Sequence, residues 1–270
     1  MTARLPLLPG SRPSTAHGRP GATPATGRGG GGEATGPVLG ILGGMGPLAS
    51  AAFLQTVYET AVERSGAAAE QTLPRCLLDS DPGFPDRTDT IRSRGEAAWA
   101  DRLRRGVGGL LDMGATRVVV ACVTAHHFVG ALEPEHRRRL ISLVSTTLDE
   151  LAAAPAGARY LLVATDGTRE AGIFQRAPRW PESAHRVVLP EPDVQRELHG
   201  LLYRLKAEPL TAALADRFRV LAHQHGCTGL IAGCTELHLL SQWQRRNGDG
   251  TTVIDPLLAI ATQLTTLLSR

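Results

Sequence analysis

The strongest constraint on the fold is a short run of β-branched residues, Val118, Val119 and Val120, inside the stretch RVVVACVTAHHF at positions 117–128. An apolar run of this kind with no polar alternation reads as a strand buried on both faces, which belongs to a parallel sheet covered by helices. The run delivers Cys122 and Thr124 to its carboxyl end, where open α/β sheets keep their ligands. A second copy follows at positions 229–232, ending in Gly233, Cys234, Thr235 and Glu236. The chain thus carries a thiol with a hydroxyl beside it at two strand ends.

The rest of the chain alternates strands and helices around these runs. Positions 38–42 read as a strand, followed by the glycine turn Gly43-Gly44-Met45-Gly46-Pro47 and a helix striped by Phe53, Leu54, Val57, Tyr58, Ala61 and Val62. The turn brings backbone N–H groups and a helix amino terminus toward an anion. It has neither the spacing of a dinucleotide fingerprint nor the lysine of a phosphate loop, so neither cofactor is expected. Positions 75–79 predict a second strand, and the loop 80–88 after it carries Arg87, a fork of donors suited to a carboxylate. Trp99, Leu103, Val107, Leu110 and Leu111 stripe a helix that Gly114 caps. Positions 140–144 predict a fourth strand.

A second unit repeats the theme. Strands are predicted at 160–164, leading into Thr165, Asp166, Gly167 and Thr168, and at 186–189, 229–232 and 252–254. Between them lie helices striped by Val194, Leu198, Leu201, Leu202 and Leu205, with Lys206 at the end, and by Ala213, Leu214, Phe218 and Leu221; Asp255 caps a last helix over 257–268. The expected fold is α/β, with two pseudo-symmetric domains, each a four-stranded parallel sheet flanked by helices, and the site in the interdomain cleft. The first domain spans 37–148 and is joined by the C-terminal helix 257–270; the second spans 149–256. Positions 1–36, rich in Gly, Pro, Ala, Thr and Arg, are expected to form a disordered tail.

Composition removes several classes of function. A net charge of +3 gives no nucleic-acid footprint. No apolar run reaches the ~18 residues of a membrane helix and the amino terminus has no signal-peptide core, so a cytoplasmic protein that binds no membrane is expected. The four cysteines, Cys76, Cys122, Cys227 and Cys234, form no CxxC pair, which suits free thiols in a reducing compartment and argues against a metal site. Cys76 and Cys227 read as small core hydrophobes, and His127 and His238 as surface or packing residues.

With these residues placed, the chain resembles the cofactor-independent aspartate/glutamate racemase family, within the wider group that includes hydantoin racemases, maleate isomerases and arylmalonate decarboxylases. The resemblance is carried by Gly43-Gly44-Met45-Gly46-Pro47, by Ser80-Asp81-Pro82 through Pro85-Asp86-Arg87-Thr88, and by Cys122 with Thr124 to His126. It continues with Ala164-Thr165 and Gly167-Thr168, Gly233-Cys234-Thr235-Glu236, and Asp255-Pro256. It implies a homodimeric isomerase, without cofactor or metal, that holds a small acidic amino acid between two catalytic cysteines, Cys122 and Cys234. Thr124 and Thr235 stand where the family holds the α-carboxylate, and Arg87 and Lys206 where it grips the side-chain carboxylate; Met45, Val123, Thr165 and Thr168 complete the expected pocket. Val123 replaces the family's usual Asn, and Phe174 stands where Tyr is common. Slower racemisation of plain aspartate is therefore expected, and two other readings stay open: a related cysteine isomerase or tailoring enzyme that adds a thiol to an alkene, and a binding protein without turnover.

The chemistry suits two thiols. Inverting a carbon removes a proton from one face and returns one to the other, so two groups on opposite sides serve better than one. A thiol of pKa ~8.5 changes charge near neutrality once its surroundings lower it by a unit or two. His126, one turn after Cys122, and Glu236, two residues after Cys234, are the candidate partners that adjust thiol protonation.

Overall fold

In the computed structural model, Val38–Gly43 (β1) is buried along its whole length, as the apolar run requires. The structure describes residues 36–65, 70–93, 95–248 and 250–269, so the predicted tail lies outside it save for Gly36. Pro47–Ser65 (α1) follows β1 after the glycine turn. At Gly44 φ is +84°, and a Cβ there would stand 2.2 Å from the Asp81 backbone, so only glycine lets the turn and the neighbouring loop approach this closely. Arg75–Ser80 (β2) and Arg117–Val120 (β3) flank β1 in parallel, giving the order β2-β1-β3. Arg87–Ser93 (α2) and Glu96–Asp112 (α3) connect them.

The fourth strand predicted at 140–144 is not formed. Leu140 makes an isolated bridge to Val118, and after the short Pro134–Arg138 (α4) the next element is Leu143–Ala153 (α5). The Ser142 side chain accepts the Ser145 N–H at 3.2 Å and starts a helix, whose Leu143, Val144, Thr147, Leu148 and Leu151 are buried at helical spacing. The first sheet therefore has three strands, and α5 runs unbroken through positions 148 and 149, where the sequence suggests a domain boundary.

The second sheet has the four strands expected, all parallel, in the order β5-β4-β6-β7: Tyr160–Ala164 (β4), Val187–Val188 (β5), Gly229–Gly233 (β6) and Thr252–Ile254 (β7). Asp166–Glu170 (α6), Trp180–Ser183 (α7), Pro192–Ala207 (α8), Ala212–Gln224 (α9), Leu237–Asn247 (α10) and Pro256–Leu268 (α11) complete the chain. Among the described residues no helix is long and apolar enough to cross a membrane.

Strand alternation sorts side chains into three cores. Leu39, Ile41, Val119 and Ala121 of the first sheet share one core with Tyr160, Leu162, Ala164 and Ile231 of the second, filled by α1, α5 and α11. Leu42, Val118, Val120 and Cys122 face α3, and Leu161, Leu230, Ala232 and Cys234 face α8, α9 and α10. The two cysteines thus keep equivalent faces of their own sheets.

Candidate active site

Cys122 and Cys234 follow β3, at the edge of the first sheet, and β6, inside the second, at their carboxyl ends, and both are buried. The two strand ends meet: the Thr235 hydroxyl donates to the Ala121 carbonyl at 3.2 Å. Each thiol lies within electrostatic reach of Arg87, and they lie within reach of each other. The two remaining thiols are elsewhere: Cys227 is in the core behind the second sheet, and Cys76 is partly buried on β2, its thiol pushed up to about 11 by burial.

The surroundings of Cys234 are charged. Its thiol donates to Glu236 Oε2 at 2.7 Å, while Glu236 is 2% exposed and its Oε1 has no partner. Burial, and next to it the Glu236 carboxylate, push the Cys234 thiol well above its usual range. Cys234 therefore rests as the protonated thiol.

Arg87 approaches both thiols from α2. It is 9% exposed, donates from Nη2 to the Met45 carbonyl at 2.6 Å, and leaves Nε unpaired. Burial works against its charge, but Cys122, Asp86, Glu236 and Cys234 outweigh it and hold the guanidinium protonated. Asp86, just before it, caps α2: Oδ1 accepts the Thr88 N–H at 2.8 Å and the Asp89 N–H at 3.1 Å. Its Oδ2 accepts the Tyr203 hydroxyl at 2.7 Å, a bond from α8 that joins the two halves. Lys206 lies 4.1 Å over the Tyr203 ring, within electrostatic reach of Asp86 and Cys234. Burial raises the Asp86 carboxyl, yet Tyr203, the Asp89 N–H, Arg87 and Lys206 together bring it below the usual range.

Three hydroxyls meet beside Cys122. Thr124 Oγ1 is 3.1 Å from that of Thr165 and 2.8 Å from that of Thr168, and the last two are 3.2 Å apart. All are buried, and Thr165 caps α6. Met45 is also buried, at the turn before α1, and contributes its carbonyl rather than its side chain to the Arg87 bond.

Two expected site residues have other work. His126 is held at both ring nitrogens, Nδ1 at 3.1 Å from the Cys122 carbonyl and Nε2 accepting the Leu143 N–H at 3.1 Å. That pattern fixes the neutral tautomer with the proton on Nδ1, and burial lowers its pKa, so His126 ties β3's end to α5 and has no free nitrogen to offer a thiol. Val123 is 1% exposed and belongs to the core shared by both sheets, with Leu143, Ile173 and Phe174. Val123 lies beyond the end of β3 with helical backbone angles, and its side chain packs in a different core from that of Cys122. Phe174 packs in the same core, its ring 6.4 Å from that of Trp180.

Sequence reasoning missed Tyr203, whose only signal was its place one turn before Lys206, and it left Asp86 and Gly46 as motif members without roles. It also missed a buried network behind the Cys234 end. His238 stands between Asp255 Oδ2 (2.7 Å) and Thr56 Oγ1 (2.9 Å), and Gln242 donates to Thr56 Oγ1 at 2.8 Å and to the Ala52 carbonyl at 2.9 Å. These bonds lock α10 and α11 to α1. A groove of about 580 Å³ at the amino ends of β1 and β2, walled by Val57, Leu73, Leu264, Arg64 and Arg75, holds none of the expected site residues.

Comparison with known proteins gives the family and the fold. Residues 42–264 match the sequence profile of the Asp/Glu/hydantoin racemase family. Among solved structures, an aspartate racemase from Picrophilus torridus superposes with a TM-score of 0.68 at 22% identity, covering 85% of this chain and 94% of its own. An aspartate racemase homologue from Pyrococcus horikoshii superposes at 0.60 and 19%, covering 86% and 99%. Glutamate racemase from Francisella tularensis, in complex with D-glutamate, gives 0.53 and 14%, covering 87% and 81%. At these identities the structural likeness carries the fold.

Proposed function

The chain belongs to the Asp/Glu/hydantoin racemase family, and from that premise we propose that it inverts the α-carbon of a small dicarboxylic amino acid without a cofactor, by proton transfer between Cys122 and Cys234. The observation that carries this reading is a pair of unsatisfied buried atoms of opposite character beside the two thiols, Arg87 Nε and Glu236 Oε1. A buried donor or acceptor without a partner costs about 1–3 kcal/mol, more when charged, so the cleft favours a guest with an anionic and a cationic group.

In this reading Arg87 and Lys206 grip the distal carboxylate. The hydroxyls of Thr124, Thr165 and Thr168, the backbone amides at the strand ends, and the Thr235 hydroxyl once it turns from the Ala121 carbonyl, take the α-carboxylate and stabilise the charge that develops on it; each well-placed donor contributes ~3–4 kcal/mol in comparable sites. Cys122 as thiolate removes the α-proton from one face, the C–H pair moving into the carboxylate-stabilised carbanion. Cys234 gives its S–H proton to the other face, leaving its thiolate. For the opposite enantiomer the roles exchange: Cys234, now the thiolate, removes the α-proton and Cys122 returns its S–H proton to the other face, which restores the protonated Cys234 that donates to Glu236. The reading includes a homodimer, checked by light scattering.

The test is incubation of the purified protein with L-aspartate and with L-glutamate in heavy water, followed by proton NMR and chiral chromatography. Deuterium at the α-carbon and growth of the D-enantiomer are expected with one of the two. Neither signal with either amino acid rejects the reading.

A further inference from the structure

We propose that Gly46 is a positioning residue: by carrying no side chain, it makes the space in which the Glu236 carboxylate stands against Cys234. A Cβ at position 46 would lie 2.1 Å from Glu236 Oε1 and 3.0 Å from its Cδ. Gly46 is not among the glycines with positive φ, so its backbone is one that any residue adopts and glycine serves here for space rather than conformation.

The surroundings make the clash hard to relieve. The Glu236 side chain is 2% exposed and leans on the turn before α1, with its other oxygen accepting the Cys234 thiol. Helix α1 has no freedom to withdraw, because Thr56 and Ala52 on it are bonded to His238 and Gln242 on α10, all of them buried. With both helices locked, a methyl at 46 displaces the carboxylate, and the carboxylate is what Cys234 donates to. The seat is also shared across the two halves: the turn belongs to the first, the carboxylate and thiol to the second.

The catalytic meaning of the seat rests on the proposed two-thiol mechanism, but its existence is read without turnover. The pH dependence of iodoacetamide alkylation, followed at the Cys122 and Cys234 peptides by mass spectrometry, reports each thiol separately. Gly46→Ala should lower the midpoint for Cys234 by about half a unit or more, because removing a hydrogen-bonded like charge eases ionisation, and leave that of Cys122 in place. Glu236→Ala should lower it at least as far, and adding Gly46→Ala to Glu236→Ala should change nothing more. An unmoved Cys234 midpoint in Gly46→Ala, or an equal shift from Gly46→Ala in both backgrounds, overturns the proposal. Should Gly46→Ala lose its far-ultraviolet dichroism, Gly46→Ala/Glu236→Ala should regain it, since the obstructing carboxylate is gone; a double variant that also fails to fold overturns the proposal too. Intact coupling at Cys234 with no α-proton exchange would leave the seat standing and remove the racemase reading alone.

Discussion

The ends of β3 and β6 each present a cysteine on the helix-covered face of their sheets, β3 from an edge and β6 from the interior, yet they are built from different chemistry. Around Cys122 no carboxylate stands beside the thiol: His126 has both ring nitrogens engaged by backbone groups, three threonine hydroxyls bond one another, and the charged group within reach is the Arg87 guanidinium that both thiols share. Around Cys234 the partner is a buried carboxylate with one oxygen unpaired. Duplication of a strand-and-thiol device therefore leaves the proton inventory unequal. One end has a carboxylate that accepts its thiol's hydrogen bond, and the other is a scaffold of hydroxyls and backbone groups. Such asymmetry suits a reaction whose two directions start from different protonation states.

Loss of either sulfur should strike both ends alike. Cys122→Ser and Cys234→Ser should each lower turnover about 10²–10⁴-fold, the usual worth of a positioned acid or base, measured by chiral chromatography. A small loss from one and not the other would break the symmetry of roles.

The next effect concerns support behind the Cys234 end. His238→Ala leaves the Asp255 carboxylate buried without its partner and should cost about 3–5 kcal/mol of stability, seen as a lower midpoint in urea unfolding. Although burial opposes it, His238, Ser241 and the Leu258 N–H hold the Asp255 carboxyl below its usual range. A depressed carboxyl stabilises the fold above its unfolded value, and the contribution is lost as pH falls through the folded one. The wild type should therefore lose stability in acid below the ordinary carboxylate range, and His238→Ala should flatten that dependence.

At the Cys122 end, Val123→Asn restores the residue usual in the family but places an amide in an apolar core. It should cost about 1–3 kcal/mol of stability without raising turnover. A gain in turnover would mean that this side chain reaches the cleft after all.

The finest distinction is between the two partner residues. Glu236→Gln should lower turnover about tenfold and move the Cys234-dependent limb of the pH–rate profile to lower pH, because the like charge that holds this thiol protonated is gone. His126→Gln should reduce thermal stability and leave the limbs where they are. Equal pH shifts from both would erase the contrast between the two ends.

Much of this architecture was legible in the chain. Apolar runs of strand length, each feeding a glycine turn or a helix stripe, sufficed for seven parallel strands and for the placing of both thiols at carboxyl ends. The run at 140–144 misled because Leu140 and Ile141 bridge to Val118 while Leu143 and Val144 already open α5; short apolar clusters fit either period, and only the Ser142 cap marks the switch. Val123 stands in the expected pocket by the family pattern alone, and its packing with Leu143, Ile173 and Phe174 is a tertiary contact that no local pattern announces. Tyr203 and Gly46 were hidden for a different reason. A hydroxyl that reaches Asp86 across 117 positions, and an empty space that a carboxylate fills from position 236, are contacts of tertiary structure with no local signature.

The closing helix α11 follows the second sheet in the chain but packs on α1 and α5, filling with Leu257, Ile260 and Leu264 the core that Phe53 and Val57 open. During synthesis the first half must wait, with that apolar wall uncovered, until α11 has emerged. Loss of α11 would then expose the half made first, so a helix that comes after the second sheet completes the fold of the first.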